Sequence, residues 1–357
     1  MSIRSRSDVW LFAHQSMESL ANSIADRCQD DTFKLSDEST AKRQEYVRQL
    51  SEHRSTTKRS LELKTTIQWK KFPDGFPNLF IEDVKQMAGK DVLFLASFHT
   101  PEVIFQQLSV LYAIPKYLAR SFTVILPYFP TGTMERVDTE GQIATAKTLA
   151  TILSAIPMTS RGPAQIMVFD IHALQERFYF SETVIPRLET AIPLLHREVS
   201  TRPEINGNIA YAFPDDGAFK RFHHFFPESQ TIICTKIRDG NKRIVKIKDG
   251  PDPAGLNVII IDDLIQTGGT MKNCGKAVLD RGAKSVSAFV THAVFPNESW
   301  KRFTTESNTG ADAVKFDNFW ITDSIPHAAE ISKHPPFKLL SLGDVIADIL
   351  LGYDLLR

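Results

Sequence analysis

The stretch Val258-Ile259-Ile260-Ile261-Asp262-Asp263-Leu264-Ile265-Gln266-Thr267-Gly268-Gly269-Thr270 joins a short apolar run to two adjacent acids and then to a glycine-bearing turn ending in threonine. A run of this kind is what a parallel strand buried on both faces requires. The spacing predicts that Asp262 and Asp263 sit at the carboxyl end of that strand, where open α/β sheets bind ligands. Thr267 to Thr270 then offer backbone N–H groups and hydroxyls to a phosphate at the start of a following helix. Two carboxylates beside a phosphate cradle suit a sugar phosphate, with the acids on neighbouring ribose hydroxyls. The bland alternative is an ordinary strand, turn and helix. Against it, two acids directly after an apolar run are costly to bury without a role.

The rest of the chain repeats the alternation. Residues 9–12, 92–97, 122–126, 166–169, 209–213, 231–234, 258–261 and 286–290 read as strands. Amphipathic helices fit 17–28, 103–112, 143–153 and 272–281. Alternating β and α elements predict parallel sheets covered by helices. The strands are too many for one sheet, so the pattern predicts two tandem α/β domains, 1–185 and 186–339. Pro186 and Pro193 mark the boundary. A last apolar helix, at about 340–357, is expected to pack back onto the first domain. The charged, core-poor stretch 36–61 reads as an insertion or partly disordered segment.

Composition narrows the partners. The 357 residues carry no net charge, so no general attraction to nucleic acid or membrane follows. The three cysteines, Cys28, Cys234 and Cys274, are too scattered for a disulfide framework or a zinc site. The sequence shows no signal peptide and no apolar run long enough to span a bilayer, which points to the cytoplasm.

Five further motifs carry chemistry. Phe72-Pro73-Asp74-Gly75-Phe76 is a turn by composition. Leu126-Pro127-Tyr128-Phe129-Pro130-Thr131-Gly132-Thr133-Met134-Glu135-Arg136 follows a strand, and by itself its arginine is no more than a surface cation. In Phe169-Asp170-Ile171-His172-Ala173, Asp170 and His172 are one residue apart at a strand end, so both can face one cleft. A structural histidine is the alternative there. Phe213-Pro214-Asp215-Asp216-Gly217-Ala218-Phe219-Lys220-Arg221 again places an acid after a strand; Lys220 and Arg221 also fit a solvated helix start. Last, Lys236-Ile237-Arg238 precedes the basic stretch 241–248, which alone would be a basic hairpin loop.

In this order, and with Asp262 to Thr270, these motifs resemble the ribose-phosphate diphosphokinases, which make 5-phosphoribosyl 1-diphosphate (PRPP). The resemblance is greatest to their divergent plant-type, phosphate-independent class. It implies two tandem phosphoribosyltransferase-like domains. It also implies transfer of the β,γ-diphosphate of ATP to the 1-hydroxyl of ribose 5-phosphate, giving PRPP and AMP. Asp262, Asp263, Gln266, Thr267, Gly268, Gly269 and Thr270 would hold ribose 5-phosphate. Phe72, Asp74, Arg136 and His172 would hold ATP. Asp170, His172 and Asp215 would position Mg²⁺, a hard cation that prefers oxygen ligands. Lys236 and Arg238, on a mobile loop, would stabilise the transferring phosphate. A homo-oligomer is implied, with the nucleotide site near a subunit interface. Departures from the family pattern stand at Phe76, Thr133, Met134 and Gln266. They keep two rivals open: a non-catalytic regulatory subunit, and a phosphoribosyltransferase that consumes PRPP. The stretch 137–142 has two acids and no base, so the phosphate-activation site of other members is not expected.

Overall fold

A computed structural model of the chain describes residues 9–29, 59–202, 208–239, 242–306, 308–309 and 313–355, with only the backbone at 236–239 and 242–244. The chain divides into two compact units, Met1–Glu189 with Leu342–Arg357, and Thr190–Ser341. Each is a parallel sheet flanked by helices.

The first unit is built on six parallel strands in the order β2-β1-β5-β6-β7-β8. These are β1 (Val9–Ala13), β2 (Leu61–Lys64), β5 (Asp91–Leu95), β6 (Ser121–Leu126), β7 (Ala164–Phe169) and β8 (Val184–Glu189). The central strands are apolar throughout because both faces are covered, as the buried runs of β5 and β7 show. Pro186 is tolerated because β8 is an edge strand. Helices α1 (Glu18–Gln29), α2 (Pro101–Lys116) and α3 (Thr145–Ser154) bury one stripe each. An antiparallel hairpin, β3 (Ile67–Lys71) and β4 (Pro77–Ile81), stands apart from the sheet. The C-terminal helix Gly343–Ile349 continues as one π-helical turn, Leu350–Asp354. Asp344 pairs with Arg27 of α1, and Asp354 with Arg187 of β8 at 3.0 Å.

The expected insertion at 36–61 lies outside the described residues up to position 58, but its last residues are structural. Arg59 is buried and pairs with Asp91 at the start of β5. Arg120 donates to the same carboxylate at 2.9 and 2.6 Å, and Ser121 at 2.6 Å. Arg59, at the end of the expected insertion, is thus already held in the fold, ahead of Trp69, where the apolar pattern first becomes regular.

The second unit has seven strands in the order β11-β10-β9-β12-β13-β14-β15. They are β9 (Ile209–Phe213), β10 (Gln230–Asp239), β11 (Lys242–Asp249), β12 (Asn257–Ile265), β13 (Ser285–Ala293), β14 (Phe319–Thr322) and β15 (Phe337–Leu340). All neighbours are parallel except β10 and β11. Helices α4 (Ile192–Ser200), α5 (Asp216–Phe222) and α6 (Gly269–Leu279) complete the elements used below. Among the described residues no helix is long and apolar enough to cross a membrane.

Candidate active site

The site in the second unit begins with a mismatch of strand lengths. Pairing of β12 with β9 stops at Ile260↔Ala212, whereas pairing with β13 runs on to Ile265↔Ala293. The sequence pattern ends this strand at Ile261; β13 carries it four residues further. Asp262 and Asp263 therefore lie within the strand, on a stretch with a neighbour on one side only. Beyond the end of β9, Asp215 caps α5 and accepts the Ala218 N–H at 3.0 Å. Such a cap fixes the entry of the helix and the place of its carboxylate.

From the last turn of α5, the half-buried Arg221 reaches the buried Asp263, with Nη1 2.7 Å from Oδ1. Asp262 accepts the Asp263 N–H at 3.0 Å. Burial raises the Asp262 carboxyl well above the usual carboxylate range. The Asp263 and Asp215 charges add to the rise, and Arg221 opposes it. The Arg221 guanidinium thus lies among the Asp215, Asp262 and Asp263 carboxylates. Such an excess of negative charge attracts cations and sugar hydroxyls. Asp216, by contrast, is exposed and pairs with Lys248 at 2.7 Å.

The turn after β12 is held from below. Ser299 donates to the Gln266 carbonyl at 2.9 Å, and the Val294 and Phe295 N–H groups donate to the Ile265 carbonyl. Gly268 has φ 76°, and a Cβ there would run into the Phe303 ring. The turn therefore requires glycine at that position. At Gly269, the first residue of α6, no atom lies within 4 Å of where a Cβ would stand. The backbone at the start of α6 is thus open to a ligand, with its first N–H groups unsatisfied by the helix itself. Thr267 and Gln266 are exposed, and Thr270 is half-buried.

Lys236 and Arg238 lie on β10, paired with Val245 and Arg243 of β11. The segment expected as a mobile loop is here the backbone of two paired strands, because β11 runs antiparallel along β10.

In the first unit, Asp170 follows β7 with φ 37° and is 6 % exposed. The left-handed turn breaks the two-residue alternation on which a shared cleft for Asp170 and His172 was inferred. His172 is half-buried and meets the second motif instead. A Cβ at Gly132 would stand 3.2 Å from the His172 Cβ and 3.5 Å from the Glu176 Oε1. Arg136 is exposed and pairs with Asp138 at 3.3 Å. Phe72 and Asp74 form the exposed tip of the β3–β4 hairpin, where Asp74 accepts the Phe76 N–H at 3.1 Å.

Sequence reasoning left Arg221 as a surface option and gave no sign of Ser299, Phe303 or Glu176. The first is recognisable only once α5 is laid beside β12. The others act from distant segments with no motif of their own.

Two sequence models of protein families match the chain. One describes the N-terminal domain of ribose phosphate pyrophosphokinase and covers residues 9–156; the other, a phosphoribosyl transferase domain, covers 215–327. Ribose-phosphate pyrophosphokinase 4 of Oryza sativa subsp. japonica is 52 % identical over 286 residues, which is 80 % of this chain and 87 % of that one. The chain belongs to the ribose-phosphate pyrophosphokinase family. A second pyrophosphokinase, ribose-phosphate pyrophosphokinase 3, chloroplastic, of Arabidopsis thaliana, is 51 % identical over 85 % of this chain and 73 % of its own. Both of these pyrophosphokinases are plant proteins, in keeping with the plant-type resemblance. The fold of the family is shared with a phosphoribosylpyrophosphate synthetase from Mycobacterium smegmatis. That structure has a TM-score of 0.70 at 18 % identity and covers 96 % of this chain and 97 % of its own.

Proposed function

We propose that the chain transfers the β,γ-diphosphate of ATP to the 1-hydroxyl of ribose 5-phosphate, giving PRPP and AMP. The observation that carries this reading is the cluster of Asp215, Asp262 and Asp263 with the Arg221 guanidinium, beside the open start of α6. Asp262 and Asp263 accept the ribose hydroxyls, while Gln266, Thr267, Gly268, Gly269 and Thr270 cradle the 5-phosphate. Lys236 and Arg238 stabilise charge on the transferring group. Phe72, Asp74, Arg136 and His172 hold the nucleotide.

Among the described residues no three His, Cys, Asp or Glu side chains come together as a metal cage. Mg²⁺ is usually bound through one or two carboxylates together with substrate phosphates. Asp170 and His172 in the first unit, and Asp215 in the second, are each candidate metal-binding positions. When bound, the ion neutralises phosphate charge. The work of this chain's residues is then positioning and fixed charge. Arg136 is already paired with Asp138, so the 136–142 stretch offers no unpaired base to a regulatory phosphate. The protein is read as a cytoplasmic homo-oligomer that acts on these two substrates.

Calorimetric titration of ribose 5-phosphate tests the sugar site. Wild type binds it, and Asp262→Asn with Asp263→Asn loses it while keeping ATP, since each charge-assisted bond contributes roughly 1.5–3 kcal/mol. Loss of ATP with retention of ribose 5-phosphate would overturn the assignment.

A further inference from the structure

Cys234 and Cys274 are fully buried free thiols, and Cys274 donates its S–H to the Cys234 Sγ at 3.3 Å. The two residues belong to elements with different mechanical roles. Cys234 stands where β10 leaves its parallel neighbour. The last β9–β10 pair is Phe213↔Ile233, and the ladder with β11 slips register between Ile233 and Cys234. Such an irregularity lets a strand bend. Lys236 follows two residues later. Cys274 lies on the buried face of α6, the helix that begins at the phosphate turn. A Cβ at the adjacent Gly275 would stand 2.8 Å from Val314 Cγ1, so α6 is packed too closely to shift.

A disulfide needs an S–S distance of about 2.05 Å, so these sulfurs have about 1.2 Å to close. The strand end can supply that movement where the helix cannot. The hydrogen bond from Cys274 favours the thiolate at Cys234, and the same bond, with burial, disfavours it at Cys274. The thiolate is the attacking species, so Cys234 is the first to react. β11 is the outermost strand of its sheet, so local opening of the β10–β11 edge gives a small reagent its route to Cys234.

We propose that Cys234 and Cys274 form a reversible dithiol–disulfide modification site, oxidised by small disulfides, whose closed form clamps the β10–β11 hairpin to α6 and lowers turnover. The Cys234 thiolate attacks one sulfur of the small disulfide and expels a thiolate, leaving a mixed disulfide. The expelled thiolate takes the Cys274 proton. Cys274 then attacks the Cys234 sulfur and expels the second small thiol. The second thiolate takes up the proton that Cys234 gave up on ionising, so the protein loses two protons and two electrons and the small disulfide becomes two thiols. The effect on turnover rests on the function proposed above; the thiol chemistry does not.

The test incubates the folded, full-length protein with hydroxyethyl disulfide. Free thiols are then counted after unfolding, and the proteolytic peptides are mapped by mass. The free thiols should fall from three to one, with a linked pair of peptides carrying Cys234 and Cys274. AMP formation should fall by about a hundredfold, the scale expected when reacting groups are displaced by about 1 Å. Dithiothreitol should restore both readings, and Cys274→Ala should keep its activity in the oxidant. If that variant does not fold, Cys234→Val serves the same purpose. Three surviving thiols, a stable mixed disulfide at Cys234, or a linked pair with unchanged turnover would each overturn the proposal. The thiol count and the peptide map need no assay of turnover, so they decide the cysteine chemistry even in a protein that makes no AMP.

Discussion

Arg221 Nη1 lies 2.7 Å from Oδ1 of Asp263, whose side chain is buried. Arg221 is therefore the counter-ion of Asp263, one of the two acids proposed to hold the sugar. Removing one partner of a buried pair leaves an uncompensated charge and costs about 3–5 kcal/mol. Arg221→Ala should lower the denaturation midpoint of the second unit and raise KM for ribose 5-phosphate more than KM for ATP. Arg221→Lys should recover part of both. Unchanged stability and equal changes in the two KM values would assign Arg221 to solvent instead.

Asp262 carries the opposite signature. Burial, and then the Asp263 and Asp215 charges, raise its carboxyl. The folded protein binds that proton more tightly than the unfolded chain does. The resulting stability is complete below the unfolded carboxylate value of about 3.9 and is lost as pH rises through the elevated folded value. Asp262→Asn should therefore stabilise the ligand-free protein at neutral pH. For a domain of this size Tm rises by about 2–4 °C for each kcal/mol gained. The same variant should bind ribose 5-phosphate more weakly, an exchange of stability for function. A lowered Tm with unchanged sugar binding contradicts this.

Asp91 is the acid-sensitive joint of the first unit. Its burial alone would raise the carboxyl, but hydrogen bonds from Arg120, Ser121 and Arg59 outweigh it and hold the carboxyl well below the usual range. Its contribution is present above the unfolded value of about 3.9 and is lost as pH falls through the depressed folded value. Arg120 is half-exposed, so the buried Arg59 pair carries most of the effect. Asp91→Ala should cost about 3–5 kcal/mol in chemical denaturation, with the slope unchanged. A loss below about 1 kcal/mol would mark the cluster as a surface network.

Lys236→Ala and Arg238→Ala should each lower kcat by the equivalent of about 3–4 kcal/mol, with little change in either KM, if they act on charge that develops only in the transition state. Steady-state kinetics with both substrates varied reads this directly. Near-wild-type kcat in both variants would favour a non-catalytic chain.

The sheets were legible because buried parallel strands write themselves as apolar runs, and the candidate site stood out because acids after such a run have few other reasons to be there. The limits of the strands were not. Ile265 belongs to β12 only because β13 continues beside it, and β10 reaches Asp239 only through antiparallel pairing with β11. Leu61 to Lys64 looks like part of a charged insertion. It is a strand because Val9 to Phe12 pair with it, and Arg59 just before it is held by an acid 32 positions away. Local composition carries no trace of such partners. Gly268 shows the same limit: the turn chemistry marks it, but the Phe303 ring that forbids any side chain comes from a distant segment.

The central claim is tested most directly by AMP release from ATP and Mg²⁺ in phosphate-free buffer, with and without ribose 5-phosphate. The account predicts AMP and PRPP in equal amounts, only when ribose 5-phosphate is present, and with little stimulation by added phosphate. No AMP under any of these conditions, or AMP formed equally without the sugar, would contradict it.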